Sequence, residues 1–312
     1  MRTTKSLKFL NTNFRKFQKE FKRHISMKLS EIYKSDKTVI SFEIFPPDTD
    51  EKIDKLYSEI TVLKNYNPQF ISLTCGAGGK NNENSRKVLQ NLKTKFQTDI
   101  MPHFTCICSD KNFIDENLEF IKSLKTENIL ALRGDKPENG EYECRDFCHA
   151  NELVEYLKLK TNFSIAVAGY PEGHIESPDL KTDIENLKKK IDAGADAIIT
   201  QMFFENSKFF DFCERVEKAG ITVPVVAGVM PVISENQISR MTKLAKITLP
   251  EILKETLEKH SDDKNYIKNF GIEFAASQCR ELIENKVKGL HFFTLNKSCS
   301  SAKILDNIIK TG

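Results

Sequence analysis

The sequence has no CxxC pair, no GxGxxG turn, no P-loop lysine, no nucleophile elbow, and no apolar run near the roughly 18 residues that span a membrane. Each absence excludes something. Without a GxGxxG after the first strand, a doubly wound dinucleotide sheet loses its usual announcement and remains only the alternative fold. Without a continuous apolar segment and a small-residue cleavage site in the first residues, no secretory signal is expected, and a cytoplasmic location is. The eight cysteines are scattered, so reduced thiols are expected rather than a disulfide framework. Cys144-x3-Cys148 followed by His149 lies in a polar stretch without a fourth ligand, and the histidines at 103 and 174 have no carboxylate pair at ligand spacing. No metal is expected.

What is present is a mildly acidic body behind a basic start. Residues 1–26 hold eight Lys and Arg against one Glu, a net of +7; the remainder holds 39 against 43, a net of −4. The body offers no nucleic-acid surface. In the first segment Leu7, Leu10, Phe14, Phe17 and Phe21 form one helical stripe. It reads as a solvated leader, a product of start-site choice ahead of Met27, or a helix for a partner protein, another subunit or an anionic membrane surface. The division expected is a basic amphipathic extension over 1–26 and one catalytic domain over 27–312.

From residue 38 the chain alternates. Short β-like runs occur at 38–44, 69–75, 100–106, 128–134, 163–170, 195–204, 223–228 and 289–295. Amphipathic helical stretches separate them, including one from Asp48 to about Lys64. In another, Leu180, Ile184, Leu187 and Ile191 share a face before a Gly194 cap. Eight strands with helices between them predict an α/β fold, a (β/α)8 TIM barrel, with an enlarged connection between the seventh and eighth strands.

The strand ends carry the chemistry. TVISFEI stops at Pro46-Pro47, which leaves Glu43 close to the end of a strand. One such glutamate is an ordinary solvated edge residue. But Thr74, His103, Arg133-Gly134-Asp135, Tyr170, His174, Gln201 and the Thr294–Lys297 segment stand at or near other strand ends. In a barrel these ends meet at one mouth, where active sites are built. The ring contains a candidate acid, amides, hydroxyls and glycine turns but no metal set. Asp183, Asn186, Lys189 and Lys190 follow on the helix after strand five. Such a set suits a bound redox cofactor, with the protein supplying orientation and one proton.

The segments SFEIFPP, SLTCGAGG, PHFTC, ALRGD, YPEGH-x-ES, DIENLKKKIDAGAD, ITQMFF, GVMPV and GLHFFTLN occur in this order. Together they resemble the methylenetetrahydrofolate reductase family of FAD-containing barrels, in its bacterial-type form with the catalytic barrel only. The resemblance implies that NADH or NADPH reduces FAD and leaves. 5,10-Methylenetetrahydrofolate then takes the same flavin face and becomes 5-methyltetrahydrofolate, a step of one-carbon metabolism that serves methionine biosynthesis. It implies Glu43 as the acid at folate N10, with a raised pKa, and Asp135 as the carboxylate beside the cationic iminium. Thr74, Ala77, His103, Arg133, Gly134, Asp135, Ala150, Tyr170, His174, Asp183, Asn186, Lys189 and Lys190 would bind cofactors, with Arg133 and the two lysines suited to the flavin phosphates. Glu43, Thr74, Gln201 and Lys297 would bind substrate.

Cys75, Lys80, Phe293 and Lys297 depart from the family pattern, which bears on the choice of electron donor. A homo-oligomer is expected. The rival readings are another flavin barrel oxidoreductase, such as a proline dehydrogenase, or a flavin- and folate-binding subunit that receives electrons from a partner protein.

Overall fold

The computed structural model describes residues 26–74, 82–136, 144–245 and 247–309. The 1–25 segment, and with it nearly all of the basic extension, lies outside the described residues, as does Ala77. Eight parallel strands close into a barrel in sequence order: β1 (Val39–Ile44), β2 (Phe70–Leu73), β3 (Ile100–Thr105), β4 (Asn128–Leu132), β5 (Ser164–Gly169), β6 (Ala197–Met202), β7 (Val225–Val229) and β8 (Gly289–Phe293). The barrel predicted from the sequence is the fold observed. The helices are α1 (Leu29–Ile32), α2 (Asp50–Leu63), α3 (Asn82–Thr94), α4 (Lys111–Ser123), α5 (Ala150–Lys160), α6 (Leu180–Asp192), α7 (Asn206–Lys218), α8 (Glu235–Leu244), α9 (Glu251–Lys259), α10 (Lys264–Glu284) and α11 (Ser298–Ile309). The enlarged β7–β8 connection is α8, α9 and α10.

Local chemistry sets the helix ends. Asp110 and Asp179 accept hydrogen bonds from the Phe113 and Thr182 amides at 2.9 and 2.7 Å, capping α4 and α6. Gly194, with φ +112°, ends α6 by donating to Ile191. Outward-facing strand residues such as Ile71, Ile129, Ile165 and Val167 pack under the helices in the larger core. Phe42, Leu290 and Phe292 join α10 and α11 in a second.

The inside of the barrel changes character from bottom to top. At the bottom Val39, Phe70, Met101, Leu130, Ala166, Ala197 and Val226 form an apolar plug, and α1 closes it with Leu29 and Ile32. The Leu29 amide donates to the Asn128 side chain at 3.0 Å, and the same side chain donates to Met27 at 2.8 Å. Higher up, the inward positions turn polar, with Ser41, Ser72 and His291 in the middle and Glu43, Thr74, His103 and Gln201 above. At the top of β6 the register slips by a bulge against β7. Gly228 allows it: a Cβ there would lie 2.2 Å from the Thr200 carbonyl.

Cys144 and Cys148, expected as separate thiols, stand side by side in the segment before α5, their Cα atoms 5.1 Å apart and within the span a disulfide bridges. Cysteine counting does not reveal that closeness. The other described cysteines are free.

Candidate active site

A cavity of about 770 Å³ opens at the C-terminal ends of the strands. Glu43, Thr74, His103, Arg133, Gly134, Asp135, Ala150, Tyr170, His174, Asp183, Asn186, Lys189, Lys190 and Gln201 all line it. Of the residues selected from the sequence and described here, Lys297 alone does not: it is exposed on the loop between β8 and α11.

The acid end of the cavity is built on β1, β3 and β8. One Glu43 carboxylate oxygen lies 3.5 Å from His103 Nε2 and 3.7 Å from His291 Nε2. Beneath it, His291 is fully buried. Its Nδ1 lies 2.7 Å from the Ser41 hydroxyl and its Nε2 lies 3.4 Å from that of Ser72. An ionised Glu43 favours a proton on Nε2, so Nδ1 accepts from Ser41.

The expected upward shift of the Glu43 carboxyl is not what the site produces. Burial is the largest influence and pushes it up. The hydrogen-bonding influence of His291 and the charges on His103 and His291 outweigh burial and hold it below the usual carboxylate range. Burial moves His103 the other way, down to about 4, so it is neutral at pH 7 despite the pull of Glu43.

The opposite end mixes cations with carboxylates: Arg133, Lys136, Lys189 and Lys190 stand among Asp135, Glu172, Glu176 and Asp183. Arg133 forms a two-pronged pair with Glu176, at 2.6 and 3.0 Å, and Lys136 joins at 3.3 Å. Those bonds hold the Glu176 carboxyl down at about 2. The Arg133 fork, expected from the sequence to face a phosphate, is thus engaged by a carboxylate from the YPEGH-x-ES segment.

Lys190 donates to the Ala168 carbonyl at 2.6 Å, and burial lowers its ammonium to about 8 against the pull of Asp183. Asp183 itself accepts from the His174 amide and the Ser177 hydroxyl, at 3.1 and 2.8 Å, which fixes the loop after β5. The Tyr170 and His174 rings meet edge to face at 4.7 Å, and burial pushes the Tyr170 phenol up to about 12. Gly134 turns with φ +89°, where a Cβ would lie 2.8 Å from Ile107, so the backbone itself forms the wall.

Several contributors escaped the sequence reading. His291 sits in mid-strand, so attention to strand ends passed over it; the signal was its two-residue phase with Phe293. Glu176 stood inside a quoted motif without a role. Met230, Met241 and Leu295 supply apolar wall. Among the described residues no cluster of three or more His, Cys, Asp or Glu is arranged to hold a metal. No described helix is long and apolar enough to cross a membrane.

Comparison with known proteins agrees with this geometry. Residues 28–309 match the family described as methylenetetrahydrofolate reductase. The Escherichia coli 5,10-methylenetetrahydrofolate reductase is 32% identical over 260 residues, covering 83% of this chain and 86% of that protein. The fission yeast methylenetetrahydrofolate reductase 1 and the Arabidopsis thaliana methylenetetrahydrofolate reductase (NADH) 1 are each 34% identical. They share 88% and 90% of this chain, which spans about half their length, 46% and 50%. Among solved structures, a Clostridium thermocellum protein described as binding two copies of 5-methyl-5,6,7,8-tetrahydrofolic acid shares the fold. Its TM-score is 0.64 at 14% identity, over 91% of this chain and 99% of that one. With the match running from the barrel's bottom plug to its last helix, the chain belongs to the methylenetetrahydrofolate reductase family.

Proposed function

We propose that this protein reduces 5,10-methylenetetrahydrofolate to 5-methyltetrahydrofolate, with FAD in the mouth cavity and a nicotinamide dinucleotide as electron source. Donor and folate would take turns at one flavin face. The observation that carries the reading is Glu43, a single carboxylate held by two histidines in the wall of a cavity whose other end carries Arg133, Lys189 and Lys190. NADH is the first donor to try, since the Arabidopsis relative carries it in its name.

The residues present fit a flavin dinucleotide. The cavity is open, Gly134 lets the backbone approach a flat ring, and Lys189 and Lys190 supply positive charge for a diphosphate, which Arg133 would join by exchanging Glu176 for phosphate oxygens. His103, Ala150, Tyr170, His174, Asp183 and Asn186 complete the cradle. When bound, the flavin would supply hydride transfer between nicotinamide and folate.

The chain's own part is proton supply and orientation. Glu43 gives the proton that opens the folate ring at N10. In the open site its carboxyl is held low while its side chain keeps 21% exposure. A ligand stacked over the mouth removes that water, and burial then drives the carboxyl upward, toward the protonated form the step requires. Asp135 faces the positive charge that develops on the substrate, and Gln201 offers an amide to each substrate in turn.

Rapid-mixing absorbance separates the roles. Glu43→Gln keeps the shape and removes the acid. Bleaching of the flavin band by NADH should persist within about tenfold, while recovery of the band with methylenetetrahydrofolate should slow by about 10²-fold or more. Equal losses in both phases would make Glu43 a structural residue. A protein that neither purifies yellow nor takes up FAD would overturn the whole reading.

A further inference from the structure

The ladder between β1 and β8 ends at the pair Glu43–Phe293. Beyond it Pro46 and Pro47 have no amide to offer, so the strand cannot be continued by ordinary pairing. The pairing nevertheless goes on by other means. Thr294 donates to the Glu43 carbonyl from both its hydroxyl, at 2.7 Å, and its amide, at 3.3 Å. The Asn296 side chain then does the work of a peptide group: its Oδ1 accepts from the Phe45 amide at 2.9 Å, and its Nδ2 donates to the Phe45 carbonyl at 2.7 Å.

Between them, Ile44 gives its carbonyl to the Thr74 amide of the other neighbouring strand at 3.0 Å. Past the last pair of the ladder, the bonds that tie residues 43–45 to the β8 side come from Thr294 and Asn296.

The turn that presents Asn296 is bought with strain. Leu295 and Asn296 both adopt left-handed backbone, with φ of 50° and 57°. For leucine that conformation is unfavourable, and asparagine is among the few residues that tolerate it. The turn is anchored from both sides: the Asn296 amide donates to Thr294 Oγ1 at 3.2 Å, and Ser298 donates to the Glu59 carboxylate through its amide at 2.7 Å and its hydroxyl at 2.5 Å.

We propose that Asn296 is a positioning residue for Glu43: its amide is a one-residue surrogate strand that carries the β1–β8 seam past the twin prolines and holds the backbone beyond the carboxylate. Without it, Phe45 loses both bonds and the chain leaving Glu43 is tethered on one flank only. Small displacements of a catalytic group cost rate out of proportion to their effect on stability. Asn296 does not touch the cavity; it acts through Glu43. The kinetic part of this inference rests on the function proposed above.

Two variants test it. Asn296→Gly keeps the left-handed backbone and deletes the amide. Asn296→Asp keeps the acceptor for the Phe45 amide and sets an oxygen against the Phe45 carbonyl. In Asn296→Gly, hydrogen exchange at the Phe45 amide should quicken by about tenfold or more. The folate-driven phase should slow by about tenfold, NADH-driven bleaching should stay within about twofold, and Asn296→Gly should add almost nothing in a Glu43→Gln background. Asn296→Asp should fall between glycine and the native residue in exchange and in the folate phase.

Unchanged exchange at Phe45, parallel slowing of both phases, or full additivity with Glu43→Gln would overturn the proposal. If the native protein does not turn over folate, it is the functional reading that fails. The Glu43 carboxyl titration, followed by NMR in native protein and Asn296→Gly, then decides the positioning role: a displaced titration supports it and an identical one overturns it.

Discussion

The two ends of the same eight strands obey different rules. At the bottom, inward side chains are apolar, α1 covers them, and the polar fastening is the Asn128 amide, which holds both Leu29 and Met27. At the top, inward positions hold a carboxylate, two histidines, hydroxyls and an amide, and the carboxyl of Glu43 and the imidazole of His103 are both drawn below their ordinary pKa values. The bottom adds stability by excluding water from hydrocarbon. The top gives some of it back to hold groups in states useful to chemistry.

This contrast can be broken by mutation. The largest effect is expected at the bottom. Leu29→Ala removes a fully buried side chain from the plug and should cost about 2–5 kcal/mol in urea denaturation. Titration of Glu43 and His103, followed by NMR under native conditions, should be unaltered. A bottom variant that displaces those titrations before it loses stability would show that the two ends are not independent.

His103 tests the top. Its folded pKa is depressed from 6.5 to about 4 by burial. Between those values the unfolded chain holds a proton that the folded chain refuses, so stability rises with pH across that window and is lost as pH falls. The difference amounts to roughly 3 kcal/mol for a group so buried. His103→Gln should flatten the acid limb between about pH 6.5 and 4 relative to the native protein, as read by denaturation at a series of pH values. An unchanged limb would mean that His103 takes up its proton in the fold.

The smallest effect concerns the Arg133–Glu176 pair. Its side chains keep 19% and 38% of their exposure, so solvent screens the attraction. Glu176→Gln should lower stability by less than about 1 kcal/mol, and the loss should shrink further in high salt. Melting curves at low and high ionic strength measure it. A salt-independent loss of several kcal/mol would place this pair with the buried framework instead.

Much of the architecture was legible because parallel barrel strands are sheathed on both faces and read as continuous β-branched and aromatic runs. The eight runs fall on the eight strands, and the helix ending at Gly194 ends there. The ring of polar strand ends was legible for the same geometric reason: once the strands are parallel and closed, their C-terminal residues must converge.

What escaped reading depends on contacts between distant strands. Ser41 and His291 meet across a separation of 250 residues, and no local pattern announces that a serine will seat a histidine under a glutamate. The low-held Glu43 follows from that meeting. Burial alone would have raised its pKa, and a sequence shows the residue but not the imidazoles facing it. The plug helix was missed because four residues of helix carry almost no periodic signal. Lys297 was selected by its place after a motif, yet two left-handed residues just before it redirect the chain and leave it exposed.

The β1–β8 seam also dictates timing. Of the eight barrel strands β1 leaves the ribosome first and β8 last, so the surfaces that flank Glu43 cannot meet until the whole barrel has been synthesised. Contacts of such long sequence range form slowly and late. The surroundings of Glu43 are thus among the last features of the barrel to be assembled. A nascent or partly unfolded chain, however native its earlier βα units, would hold Glu43 on an unpaired edge without His291 beside it. Closing the seam is the event that completes the site.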